Sequence, residues 1–93
     1  MSNYKFDGKY LSERGSRRGR IDGSYVYDDH GKRIGKFERD YIYDSHGSRI
    51  GKLDGKNVYD GHGSRLGTLD DVKKSIDGPG GLSLVAMWLL LVR

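Results

Sequence analysis

Three histidines, His30, His46 and His62, stand sixteen residues apart, each in the same frame. The frames read Tyr-Asp-Asp-His-Gly-Lys-Arg-Ile-Gly-Lys-Phe from Tyr27, Tyr-Asp-Ser-His-Gly-Ser-Arg-Ile-Gly-Lys-Leu from Tyr43 and Tyr-Asp-Gly-His-Gly-Ser-Arg-Leu-Gly-Thr-Leu from Tyr59. A diverged fourth copy lies upstream, with Arg14 in the histidine place, then Gly15, Arg17 and Gly19. The apolar residue that closes each copy recurs as Ile21, Phe37, Leu53 and Leu69. Phe6 joins this series one residue out of phase, which places a one-residue deletion near Leu11–Ser12. A repeat this short cannot bury a face alone, so its copies must stack or circularise.

Each copy carries two turn signals. The first is Asp28-Asp29-His30-Gly31, repeated at Asp44–Gly47 and Asp60–Gly63 and in diverged form at Ser12–Gly15. Asp or Ser at its start accepts hydrogen bonds from nearby backbone N–H groups. Glycine at its end supplies the left-handed conformation of a type I turn with a G1 bulge. The second signal is Asp-Gly after the apolar residue, at Asp7-Gly8, Asp22-Gly23 and Asp54-Gly55, a strong hairpin marker. The third copy has Glu38-Arg39-Asp40 there, which predicts a turn of another kind. Two turns per sixteen residues leave strands of about five residues.

With Asp28 and Lys32 flanking the loop, alternation pairs Tyr27 with Arg33, Val26 with Ile34 and Tyr25 with Gly35. Val26 and Ile34 then share an aliphatic core face, joined by Ile42, Ile50, Val58 and Leu66. Tyr25, Tyr27, Arg33, Gly35 and Phe37 share the other face. There a tyrosine ring is expected to lie over each bare glycine, with a cation–π contact to the neighbouring arginine.

Four copies favour a closed or radial antiparallel meander, because closure removes edge strands. Over Tyr4 to Asp70, the repeat length, repeat number and Tyr/Gly frame resemble the four-fold β-flower domain of bacterial proteins. The resemblance implies one hairpin per quadrant and no particular biochemical activity. The expected class is mainly β, with a repeat domain over 1–71 in copies at about 6–20, 21–36, 37–52 and 53–69. A short helix and Gly/Pro joint follow over 72–81, with Asp70 or Asp71 as cap and Val72 and Ile76 on one helical face. An apolar tail over 82–93 ends the sequence.

Leu82 to Val92 holds one polar residue, Ser83. It is too short for a spanning helix, which needs about twenty apolar residues. Its Leu, Ala, Met and Trp content predicts a short helix, with a strand as the alternative. The four hairpins carry few aliphatic residues, so the tail is expected to pack on the repeats or on a partner.

Charge and composition narrow the function. The chain has 17 Lys and Arg against 13 Asp and Glu, a net charge of +4, with Arg14, Arg17, Arg18 and Arg20 crowded together. Only 34% of residues are hydrophobic, which alone leans towards disorder. The strict repeat and 7 tyrosines oppose that. There is no cysteine, so disulfides and thiolate metal sites are excluded. The polar stretch from Met1 to Tyr10 lacks the apolar segment of a secretory signal, and a cytoplasmic location is expected.

The histidines invite a metal ring, with Asp28, Asp44 and Asp60 two residues before them. Each sits at a hairpin tip facing water, however, and Arg14 at the fourth corner would repel a cation. His30, His46 and His62 are therefore weak metal candidates, and no cofactor is expected. No nucleophile is paired with a base in a catalytic frame, and the Gly-Lys pairs lack phosphate-loop spacing. The expectation is a non-catalytic binding or scaffolding module, self-associating through Leu84, Val85, Trp88, Leu89 and Leu91. Its partner would be itself or another protein. One alternative is weak binding of single-stranded nucleic acid or an acidic partner. Tyr25, Tyr27, Tyr41, Tyr43 and Tyr59 would serve it with Arg14, Arg17, Arg18, Arg33, Arg49 and Arg65. The other is membrane association through residues 82–92.

Overall fold

Asp-x-His-Gly tips and short Gly-containing turns divide the chain into strands too short to stand alone, and all of them join one sheet. The computed structural model describes residues 3–79 and 81–92. Met1, Ser2, Gly80 of the joint and Arg93 of the tail lie outside the described residues. The strands are β1 (Tyr4–Phe6), β2 (Tyr10–Glu13), β3 (Ser16–Asp22), β4 (Tyr25–Asp28), β5 (Arg33–Glu38), β6 (Tyr41–Asp44), β7 (Arg49–Asp54), β8 (Asn57–Asp60) and β9 (Arg65–Thr68). Helix α1 (Leu69–Ser75), strand β10 (Ile76–Asp77) and helix α2 (Leu82–Met87) follow, and α2 runs on into a π-helical segment over Trp88–Val92.

The meander from β1 to β9 is antiparallel throughout, and β10 returns to pair in parallel with β1, Tyr4 opposite Ile76. Ten strands therefore make five two-stranded units rather than four. Hairpins β2–β3, β4–β5, β6–β7 and β8–β9 carry the sixteen-residue copies, and β10 with β1 is the fifth. The sheet is open, not closed: β9 and β10 are its two edges, and α1 connects them. The chain turns away from the ladder at Thr68, which caps α1. Its hydroxyl accepts from the Asp71 N–H, while the Asp71 carboxylate accepts from the Thr68 N–H. The cap is thus Thr68 rather than Asp70 or Asp71. Ile76 is not on the helix but in β10, because α1 ends there in extended backbone.

The face assignment needs a correction with one cause. Val26 pairs with Gly35 and Tyr25 with Lys36, while Tyr27 pairs with Arg33, leaving Ile34 as an extra residue in a bulge. The same irregularity recurs at Ile50 and Leu66, and at Arg18 in the first copy. One extra residue flips all that follow to the opposite face. Gly35 and Phe37 therefore join Val26 on the inner face, and Tyr25 lies opposite Lys36, not opposite the glycine.

The tail covers it instead. The sheet curls around the C-terminal helix, in a body measuring 33 × 30 × 18 Å. A Cβ on Gly19 would lie 2.5 Å from Leu91 Cδ1, and one on Gly35 would lie 2.7 Å from Leu90 Cδ1. A Cβ on Gly51 would overlap Leu89 Cδ1. Three consecutive leucines thus fill three equivalent glycine gaps, one per unit, in reverse order. The segment that carries these leucines is the π-helical turn over Trp88–Val92. Phe6, Leu11, Ile21, Val26, Ile42 and Val58 from the sheet, Val72, Ile76 and Leu84 to Met87 complete the buried core. Each fully buried aliphatic side chain contributes roughly 1.5–3 kcal/mol before entropy.

Candidate functional site

The hairpin tips are built by local chemistry. Asp28 Oδ1 accepts from the backbone N–H groups of His30 and Lys32, each at 2.9 Å. Asp44 and Asp60 repeat this with His46 and Ser48, and with His62 and Ser64. Gly31, Gly47 and Gly63 close the tips with φ of 81°, 84° and 88°. The Lys32 N–H leads the contacts that hold the Asp28 carboxyl below the ordinary value of 3.8. The first copy differs from the expectation. Its tip is the two-residue loop Arg14-Gly15 between paired Glu13 and Ser16, so the missing residue lies in the turn and not near Leu11–Ser12. Arg39 likewise adopts the left-handed φ, 58°, that Gly23 and Gly55 hold in the equivalent turns. The turn of the third copy is thus of the same kind as those at Gly23 and Gly55.

Between the tips, the outer face alternates aromatic and cationic residues across neighbouring strands. One row runs Tyr10–Arg20–Tyr27–Arg33. The second is Tyr25–Lys36–Tyr43–Arg49, and the third Tyr41–Lys52–Tyr59–Arg65. Guanidinium groups stack on the rings: Arg17 on Tyr10 and Arg49 on Tyr41 at 3.7 Å, Arg20 on Tyr27 at 4.4 Å and Arg33 on Tyr25 at 4.8 Å. Lys36 stands 5.3 Å over Tyr43. Such contacts contribute about 0.5–1 kcal/mol at exposed sites and fix where each cation points.

All five predicted tyrosines lie on this face, together with Arg17, Arg33, Arg49 and Arg65. Arg14 sits in the first tip, while Arg18 occupies a bulge and pairs with Glu13 at 3.0 Å. The basic cluster of the sequence is thereby dispersed. The rows also contain Tyr10, Arg20, Lys36 and Lys52, which sequence reasoning missed. The sixteen-residue spacing of Arg20, Lys36 and Lys52 was the signal that pointed to them. His30, His46 and His62 are exposed at separate tips, and among the described residues no three histidine or carboxylate groups converge on one point.

The predicted tail contacts divide. Leu84 and Val85 are fully buried within their own chain, whereas Trp88, Leu89 and Leu91 are half-buried against the core. Among the described residues no helix is long and apolar enough to cross a membrane.

No polar or charged side chain among the described residues is buried. The shifted carboxyls, Asp7, Asp28 and Asp71, are all lowered chiefly by backbone N–H donors. What the face offers chemically is an array of cations held over tyrosine rings. No curated protein and no solved structure matches the chain. A family model described as 5-fold beta-flower protein matches residues 7–77, and the five two-stranded units agree with it in number. The chain belongs to the 5-fold beta-flower family, not to the four-fold variant its repeats resemble.

Proposed function

We propose that this protein is a non-catalytic binding module that holds a flexible anionic polymer against its outer face. The observation that carries the reading is the alternation of tyrosine with arginine or lysine along three rows of the sheet. Stacking on the rings holds the guanidinium planes in place, so their remaining N–H donors are arranged before a partner arrives. The Asp28, Asp44 and Asp60 carboxylates each accept two backbone N–H bonds from their own tips, which offsets part of their repulsion of an anion. Fluorescence anisotropy with labelled oligouridylate and polyglutamate tests the proposal. Binding at low salt that falls steeply as salt rises is the expected result. No affinity for either polymer at low salt would overturn it.

A second reading, self-association through the tail, draws on the half-buried segment from Trp88 to Val92. Sedimentation at increasing protein concentration tests it, and a constant monomer mass would remove it. Leu84 and Val85 serve the chain's own core in either case.

A further inference from the structure

The outer face is divided into repeated compartments. One hollow of about 290 Å³ is lined by Tyr25, Arg33 and Lys36 of one copy and by the Asp44–Gly47 tip of the next. A second, of about 320 Å³, is lined by Tyr41, Arg49 and Lys52 and by Asp60, Gly61 and Gly63. Each of these residues lies sixteen positions after its counterpart. The register places a third set in the same relation. Tyr10 pairs with Arg20 as Tyr25 does with Lys36, and Gly19 faces Asp28 as Gly35 faces Asp44. Arg17 stacks on Tyr10 as Arg49 stacks on Tyr41.

The series stops where the compartment would be incomplete. Beyond β9 there is no further tip, and there Asn57 stands in the tyrosine place opposite Thr68 in the lysine place. Arg65 donates to Asn57 Oδ1 instead of stacking on a ring. Tyrosine and its second cation are thus present only where the next tip completes a compartment.

Resting on the polyanion reading above, we infer that the face carries three equivalent subsites for single-stranded nucleic acid. Each subsite takes one flat base against the Tyr–Arg stack and a phosphate against the second cation. Guanidinium planes and tyrosine rings both stack with unpaired bases, and a hollow near 300 Å³ is at the small end of ligand sites. Polyglutamate has no ring, so it would use the cations alone. The His46 imidazole lines the first hollow and adds a hydrogen-bonding group there. Asp44 lines the first hollow and Asp54 and Asp60 the second, so each subsite alone is weak for an anion and affinity comes from joint occupancy along one strand.

The test uses the full chain and fluorescein-labelled oligouridylates of increasing length. Tyr10→Ala, Tyr25→Ala and Tyr41→Ala should each weaken binding of a long oligonucleotide about fivefold, and pairs should weaken it further. Asn57→Ala should leave it unchanged. Affinity should rise with length until three subsites are spanned, and polyglutamate should compete poorly. Arg17→Ser, Arg33→Ser and Arg49→Ser probe the same subsites should a tyrosine variant fail to fold. Loss confined to one subsite, affinity independent of length, or equal competition by polyglutamate would overturn the inference while leaving polyanion binding standing. Absence of any polyanion binding would overturn both.

Discussion

The hairpin tips and the axis both depend on glycine, for opposite reasons. At the tips, Gly31, Gly47 and Gly63 have left-handed φ, and nothing lies within 4 Å of where a Cβ would be. At the axis, Gly19, Gly35 and Gly51 need no special φ, yet a Cβ would run into a leucine of the tail and, at Gly19 and Gly35, also into a carbonyl oxygen of the next strand, Tyr27 O at 2.7 Å and Tyr43 O at 2.5 Å. One set answers to its own backbone and the other to what packs against it, the next strand and leucines far along the chain. A glycine repeated every sixteen residues can thus record either a local conformation or a distant neighbour. Only its surroundings tell which.

The largest test of this contrast removes the distant neighbour. Truncation after Gly78 deletes the buried run from Leu84 to Met87 and opens all three axial gaps. Circular dichroism should then show no cooperative melt, since the loss exceeds the few kcal/mol by which small domains are stable. A truncated chain that melts like the full one would show that the axis is dispensable.

Next come single changes at each kind of glycine. Gly35→Val should destabilise by about 1–3 kcal/mol through overpacking, and Gly47→Ala by about 1–2 kcal/mol through its φ. Adding Leu90→Ala separates them. It should interact with Gly35→Val, relieving part of the cost, and simply add to Gly47→Ala. Additivity in both denaturant-melt cycles would mean that Leu90 does not set the need for glycine at 35.

Arg39, in the turn between β5 and β6, is like Arg14 of the first tip a position where the side chain and a left-handed backbone disagree. Arg39→Gly should raise stability by about 0.5–1 kcal/mol, the relief of its φ less the added freedom of the unfolded chain. A lowered melting temperature would show that the Arg39 side chain contributes more than its backbone strain costs.

The smallest effect concerns acid. Asp7, Asp28 and Asp71 have folded pKa values below the ordinary 3.8, so their contribution is complete above that value and is lost as pH falls through the folded value. Thermal melts from neutral pH down past 3.8 should show stability declining in that window. Asp28→Asn should flatten the decline. An unchanged slope would remove Asp28 from the account.

What could be read in the sequence follows the same division. Asp-x-His-Gly specified the tips because every partner lies within four residues. The tyrosines and Arg33 or Arg49 were legible as cross-strand neighbours, since they sit next to those tips. Val26, Ile42 and Val58 were legible as core and are fully buried, but their partners across each hairpin were not, because the bulge at Ile34 and its counterparts shifts the later alternation and carries no distinct residue type. Ile76 fell four residues after Val72 and read as a helical repeat. Its pairing with Tyr4 depends on the far end of the chain, as does the fifth unit. The same one-residue slip set Gly35 opposite Tyr25 where Lys36 belongs, so Lys36 and its counterpart Lys52 escaped the candidate site.

The parallel pair of β1 with β10 imposes an order of events on folding. Each hairpin joins residues a few positions apart, contacts that form in about 1–10 μs. Tyr4 reaches Ile76 only by enclosing the whole array between them, and closure entropy grows with the chain enclosed. The clasp and the docking of Leu89 to Leu91 therefore come late, at a rate governed by topology more than by stability. Until they form, the row of Gly19, Gly35 and Gly51 is an open apolar trough. The trough sits beside an unpaired strand edge, the combination through which folding intermediates aggregate.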